Sequence, residues 1–276
     1  MNRSGKKSTK AGALIRAAHI EPTIAVTTLA SLLGVAAGLG ATRLVLLTAA
    51  VFAGQLVIGW SNDLLDAGRD AAVGRGDKPL ATGEVSAKSA SVALGVAAIA
   101  AVGLSTALGW RSALVHLVLM VGSGIAYNLG LKATMWSWLP YVVAFGSLPA
   151  VVSLAATPPT PPKVWIVAAS AALGAAAHFL NTLPDLADDA ATGIRGLPHR
   201  IGGPGSQGVA TVLLMGATVV IVLGPPGPAP ALAWAALLLA AALAVGALTG
   251  HGKTPFRCGI AIAVLNVMLL VLGAGM

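Results

Sequence analysis

Residues 57–70 read Val57-Ile58-Gly59-Trp60-Ser61-Asn62-Asp63-Leu64-Leu65-Asp66-Ala67-Gly68-Arg69-Asp70. The stretch opens as the end of a long apolar run and finishes in carboxylates. Asn62, Asp66 and Asp70 stand four apart, so on a helix they drift by only about 40° per step and share one face over roughly 12 Å. Upstream, residues 43–62 carry Arg43 and no other charge, which is enough apolar length to cross hydrocarbon. The segment therefore predicts a transmembrane helix that delivers polar ligands to one membrane face.

The rest of the chain has the same character. Of 276 residues, 57% are hydrophobic and 9% are charged, and the mean hydropathy is +0.86, outside the usual composition of a soluble domain. In lipid only helices and closed barrels satisfy their backbone groups, and the apolar runs lack the alternation of barrel strands. The expected fold is all-α and polytopic, with nine transmembrane helices near 23–41, 43–62, 89–109, 111–131, 136–155, 163–183, 208–224, 229–249 and 256–275. Residues 1–18 are expected to be a disordered basic tail and 19–276 a single transmembrane domain, with no removed signal peptide. The net charge of +8 is scattered over loops, which argues against nucleic acid as a partner and for anionic membrane lipids. Cys258 is the single cysteine, so neither an intrachain disulfide framework nor a cysteine metal site is possible.

Assigned to the loops between these spans, fourteen of the 17 Lys and Arg residues fall on one side, leaving Arg43, Arg111 and Lys163 on the other. The positive-inside rule then puts the N-terminus and the two long loops, 63–88 and 184–207, in the cytoplasm and the C-terminus outside. The Pro-rich stretches 157–162 and 224–230 become short external turns.

The two cytoplasmic loops are copies of one unit. Asn62, Asp66, Asp70, Gly74, Pro79 and Gly83 recur as Asn181, Asp185, Asp189, Gly193, Pro198 and Gly202, each pair 119 residues apart. An offset of four spans leaves both copies pointing the same way, which is a parallel repeat. Eight of the nine acidic residues lie in these loops; Glu21 is the exception. Carboxylates at this spacing repel unless a cation sits among them. Mg²⁺ suits an all-oxygen donor set and is commonly held by one or two carboxylates while bridging to substrate phosphate. Two such faces, Asn62, Asp66 and Asp70 opposite Asp185 and Asp189, are expected to hold metal around a diphosphate. Arg69, Arg75, Lys78, Arg195 and Arg200 are candidates to neutralise the remaining phosphate charge. Plain helix capping by these aspartates explains one DxxxD but not two copies in register. Asp63 and Asp188 lie off the repeated face, either as supporting ligands or as surface charge.

Polar residues inside spans are costly and face cavities or pair across helices. Gln55, His116, Asn128 and His178 are open between those two readings. His178, one turn before Asn181, is a candidate to orient an acceptor; Tyr127 is a candidate phosphate donor, Trp60 and Phe179 candidates to flank a carbocation. Trp136 and Trp138 read as interfacial anchors.

Taken together, Asn62-Asp63-x-x-Asp66-x-x-x-Asp70, Lys78-Pro79-Leu80-x-x-Gly83, Tyr127 with Lys132, Asp185-x-x-x-Asp189, Gly193 and Leu197-Pro198-x-Arg200 resemble the UbiA superfamily of intramembrane prenyltransferases. The resemblance runs from Glu21-Pro22 to the last span. It implies a nine-helix fold with a central cavity opening to lipid and two Mg²⁺ ions, with Mn²⁺ as a substitute, held by Asn62, Asp66, Asp70, Asp185 and Asp189. It also implies transfer of an isoprenoid from a polyprenyl diphosphate to a lipophilic, aromatic acceptor. By the same resemblance Asp66, Asp70, Asp185 and Asp189 carry catalysis, and Lys132 contacts the diphosphate. Asn62, Arg69, Lys78, Tyr127, His178, Asn181 and Arg200 are the further substrate-binding candidates. Lys78 stands where the family often has Arg, which keeps the charge and loses two-point geometry. Transfer to a glycerol or sugar phosphate, cyclisation of the isoprenoid, and lipid transport remain the alternatives.

Overall fold

A computed structural model describes residues 9–191 and 193–274, except for the side chains of residues 187 and 188. Asp188's side chain, the first eight residues of the expected tail and the last residue of the expected ninth span lie outside that description. The described residues form an all-helical bundle. Its elements are α1 (Lys10–Ala17), α2 (Ile20–Ala36), α3 (Ala41–Ala72), α4 (Ala87–Leu108), α5 (Trp110–Asn128), α6 (Leu139–Leu154), α7 (Val164–Thr182), α8 (Leu186–Ala191), α9 (Leu197–Leu223), α10 (Ala231–Thr249) and α11 (Thr254–Ala274). A π-helical stretch, Val115–Val121, lies inside α5.

Neighbours in sequence pack as neighbours in space: α3 lies against α2 and α4, α6 against α7, and α9, α10 and α11 against one another. The bundle closes where α11 packs back on α2 and α7. Close approach depends on small residues; a Cβ on Gly174 would lie 2.5 Å from the Tyr141 carbonyl, and one on Gly59 would lie 2.2 Å from that of Ala18. The core is filled by Leu47, Val51, Leu148, Leu180, Leu214, Ile262 and Leu270. Val92, Val96, Ile99, Leu238 and Leu272 are exposed on the outside, a surface that only lipid tolerates at this extent. Polar groups within the bundle pair across helices, as in Asn266 Nδ2 donating to Leu214 O at 2.8 Å and Thr218 Oγ1 donating to Asn266 Oδ1 at 2.8 Å.

Three expectations change. Helices overlap all nine expected spans, but seven are long and apolar enough to cross a membrane on their own, among the described residues. α2 qualifies only with α1, from which it is bent by 63°, and α6 is a shorter apolar helix. Residues 10–17, expected within a disordered tail, form α1, because Ala13 and Ala17 pack on the bundle and Leu14 O accepts a bond from Trp60 Nε1 at 2.9 Å. The second Asn/Asp unit does not sit on one continuous helix. Pro184 has no N–H to continue the ladder, so α7 ends, a 3₁₀ turn spans Leu183–Asp185, and Asp189 follows on α8.

α3, by contrast, runs unbroken for 32 residues, about 48 Å at 1.5 Å per residue. That exceeds the roughly 30 Å of hydrocarbon, so its last turns carry Asp66 and Asp70 toward the membrane surface.

Candidate active site

The repeat is built into the backbone. Where α3 ends, Gly74 N bonds to Ala71 O and Arg75 N to Asp70 O; where α8 ends, Gly193 N bonds to Ala190 O and Ile194 N to Asp189 O. Both glycines have positive φ, 72° and 82°, which makes each end a Schellman cap that only glycine adopts cheaply. Each cap turns the chain back immediately after the last carboxylate of its motif. The two returning strands of loop then wall a common cavity.

That cavity has a volume of about 860 Å³. It is lined by Asn62, Asp66 and Asp70 from α3 and by Asn181, Asp185 and Asp189 from α7, the 3₁₀ turn and α8. The structure thus brings both sequence units to one space. Four cations join them: Arg69, Arg75, Lys78 and Lys132. Away from the charges the wall turns apolar, with Val26, Met120, Leu148 and Phe145.

Asp66 and Asp70 are buried at 8% and 7% exposure. Asp66 accepts bonds from Lys132 Nζ at 2.7 Å on Oδ1 and 2.5 Å on Oδ2, and Arg69 Nη2 lies 2.7 Å from the same Oδ2. Lys132, from the 3₁₀ turn Leu131–Ala133, is itself buried; burial holds its pKa below the usual lysine range, and the Asp66 carboxylate opposes that shift. Burial likewise raises the carboxyl of Asp189, against His199, whose Nε2 stands 3.5 Å away. Arg75 makes a two-point bond to Asp77 at 2.9 and 2.8 Å, which holds that exposed carboxyl down at about 2. Asn62 donates to Asn128 Oδ1 at 3.1 Å, fixing the amide at the head of the first motif.

Lys78 reaches the cavity but spends its ammonium on Asp63, 2.7 Å away. His19, in the left-handed region at φ 51°, adds a 2.8 Å contact to the same Asp63 oxygen. Asp63, 2% exposed, is therefore a tether between the α1–α2 junction, α3 and the Lys78 loop.

Tyr127, His178 and Asn181 all line the cavity. Arg200 does not: it is exposed and donates to Arg195 O at 3.2 Å. Its position in the helical turn after Pro198 points it to the surface, and His199 takes the cavity face instead. Trp60 and Phe179 also leave the candidate set. Trp60 anchors α1, as above, and Phe179 is in the core at 3% exposure. His116 is a structural residue bonded to Ser105 at 2.8 Å. His19, Tyr141 and His199 were not singled out from sequence. His199 sits inside the quoted Leu197-Pro198-x-Arg200 pattern, and His19 two residues before Glu21-Pro22, so both lay beside a visible signal.

The donor set suits a hard divalent cation. Every motif ligand is an oxygen donor, and among the described residues no group of three or more His, Cys, Asp or Glu is drawn together tightly enough to hold a metal alone. An oxygen donor set of this kind fits Mg²⁺, which takes one or two carboxylates and completes its shell with water and phosphate.

Comparison with known proteins agrees with this architecture. The sequence profile of the UbiA prenyltransferase family matches residues 24–271. No curated protein matches the sequence. Among solved structures, a UbiA homologue from Aeropyrum pernix K1 superimposes with a TM-score of 0.69 at 19% identity, covering 92% of this chain and 98% of that one. A UbiA homologue from Archaeoglobus fulgidus bound to GPP and Mg²⁺ gives 0.69 at 14% identity, over 96% and 100% of the two chains. A digeranylgeranylglyceryl phosphate synthase structure gives 0.68 at 15%, over 96% and 98%. At such identities these likenesses show the shared fold. The profile match extends over nearly the whole chain and both motifs, and the protein belongs to the UbiA prenyltransferase family.

Proposed function

We propose that the protein transfers an isoprenoid group from a polyprenyl diphosphate to a lipophilic, aromatic acceptor and releases pyrophosphate with the help of Mg²⁺. The observation that carries this reading is the meeting of two Asn/Asp units and four cations in one cavity that also has an apolar stretch of wall, Val26, Met120, Phe145 and Leu148. A diphosphate with a hydrocarbon tail is the ligand that satisfies both. The Archaeoglobus neighbour, bound to GPP and Mg²⁺, supports the same pairing.

Asp66, Asp70, Asp185 and Asp189, with Asn62, would hold the metal, which when bound supplies positive charge to the departing pyrophosphate. Arg69, Arg75, Lys132 and, at longer reach, Lys78 bind and orient the diphosphate oxygens. In the ligand-free protein Lys132 and Arg69 neutralise Asp66; substrate phosphate then competes for the same ammonium and guanidinium groups. Tyr127 and Asn181 line the same cavity, and its apolar stretch excludes water that would quench an allylic cation.

The positive-inside count supports a cytoplasmic N-terminus and cytoplasmic motifs, with α2 and α6 as shorter crossings and the C-terminus outside. The test of function is direct. Protein in nanodiscs, given geranyl diphosphate and a lipid extract, should yield a lipid heavier by one geranyl group with stoichiometric pyrophosphate. No new lipid and no pyrophosphate across a series of donor lengths would refute the proposal.

A further inference from the structure

The repeat that matches the motifs also matches a pair of residues whose two copies have diverged. Ala18 corresponds to Ser137 and Gly59 to His178, each 119 residues apart. In the first half this contact is closed backbone to backbone, since a Cβ on Gly59 would lie 2.2 Å from Ala18 O. In the second half the same contact is made by side chains, with Ser137 Oγ 3.0 Å from His178 Nε2. Packing of the repeat thus needs no side chain at this position. The imidazole is an addition to one half only.

Its surroundings are built. Ser137, fully buried, also accepts the Leu197 N–H at 3.0 Å, which pins the hydroxyl and through it the ring. His178 is 1% exposed and lines the cavity. Tyr141 lies 5.0 Å from it, centroid to centroid, and Tyr127 5.9 Å away edge-on. Among the described residues Nδ1 of His178 has no hydrogen-bond partner, and a buried polar atom left so is unfavourable. His116 offers the internal contrast. It is tied to Ser105 in the same way, but it packs against Gly54 and is not part of the cavity wall.

The geometry points to His178 as the recognition point for the acceptor, through a hydrogen bond from Nδ1 to a hydroxyl on an aromatic ring held beside Tyr127 and Tyr141. This rests on the prenyl-transfer reading and assigns the acceptor to the second half of the repeat, while Lys132 and Arg69 bind the donor beside Asp66. A hydroxyl is the fitting group because it both donates and accepts, and so satisfies Nδ1 in either imidazole tautomer. The flanking rings favour a flat partner over an aliphatic phosphate ester.

The test uses a matched pair of probes, 2-naphthol and naphthalene, with protein in nanodiscs, and geranyl diphosphate with Mg²⁺ as a separate ligand. The wild type should prefer 2-naphthol by about tenfold, the worth of one hydrogen bond. His178→Phe should bind both probes alike and still bind geranyl diphosphate, which shows that it is folded. Ser137→Ala should weaken the preference, and His116→Phe should keep it. Equal wild-type affinity for the two probes, or an undiminished preference in His178→Phe, would overturn the inference. Failure of the wild type to bind geranyl diphosphate would instead contradict the donor site, and the two readouts are independent.

Discussion

Lys132 Nζ and Asp66 Oδ1 lie 2.7 Å apart although 66 residues separate them in sequence. The pair joins the turn after α5 to the C-terminal end of α3, and with Arg69 it balances the charge of the first motif's central carboxylate in the ligand-free state. Removing Lys132 leaves the buried carboxylate with Arg69 as its remaining partner, at a cost of about 2 kcal/mol for one lost charged hydrogen bond. Lys132→Ala is therefore expected to lower the melting temperature and to weaken geranyl diphosphate binding by about tenfold or more, with partial recovery in Lys132→Arg. Unchanged binding by equilibrium dialysis would show that Lys132 does not face the diphosphate.

The arginines separate by position. Arg69→Ala should weaken donor affinity about tenfold, the usual scale for one charge-assisted bond. Arg200→Ala, on the exposed surface, should leave it within about twofold, as surface substitutions generally do. Titration of both variants with labelled donor decides the point, and equal losses would return Arg200 to the site.

The paired glycine caps predict paired effects. Gly74→Ala and Gly193→Ala each force a side chain into left-handed backbone, at about 1 kcal/mol apiece, and each should reduce turnover because the cap follows the motif's last carboxylate. Asn at either position should be tolerated better than Ala. Thermal melting that ranks Ala above Asn would contradict the cap assignment.

Gly59→Ala is expected to be more damaging than either cap change. Its Cβ would meet the Ala18 carbonyl at 2.2 Å, and backbone cannot rotate away as a side chain can, so about 2 kcal/mol of overpacking is expected. A melting temperature equal to wild type would mean that the α1–α2 junction moves freely.

These particulars also show what sequence can and cannot convey. Composition and hydropathy make the chain helical and membrane-spanning, because lipid leaves few other choices. The 119-residue repeat identified the carboxylates, since identical spacing in two copies is visible without coordinates. Pro184 is visible in the sequence too, and the break of the second motif's helical face into a 3₁₀ turn follows from proline's missing donor. Arg200 faces the surface because a motif gives spacing and not direction, and one step along the turn puts His199 in the cavity wall. His19, at the α1–α2 junction, and Tyr141, on α6, are remote in sequence from both motifs, and tertiary packing brings them to the site. α2 stops just before Gly38, whose φ is 70°, and α6 starts with Pro140 in its first turn, so local backbone signals rather than apolar length mark these ends.

The central claim is that the two motifs act as one Mg²⁺-dependent diphosphate site. It is tested most directly by measuring Mg²⁺-dependent binding of geranyl diphosphate to wild type, Asp66→Asn and Asp185→Asn, each checked for unchanged melting. The account predicts that EDTA removes most wild-type binding and that either single substitution, one from each motif, removes it to the same degree. Binding indifferent to EDTA, or wild-type binding in either variant, would contradict it.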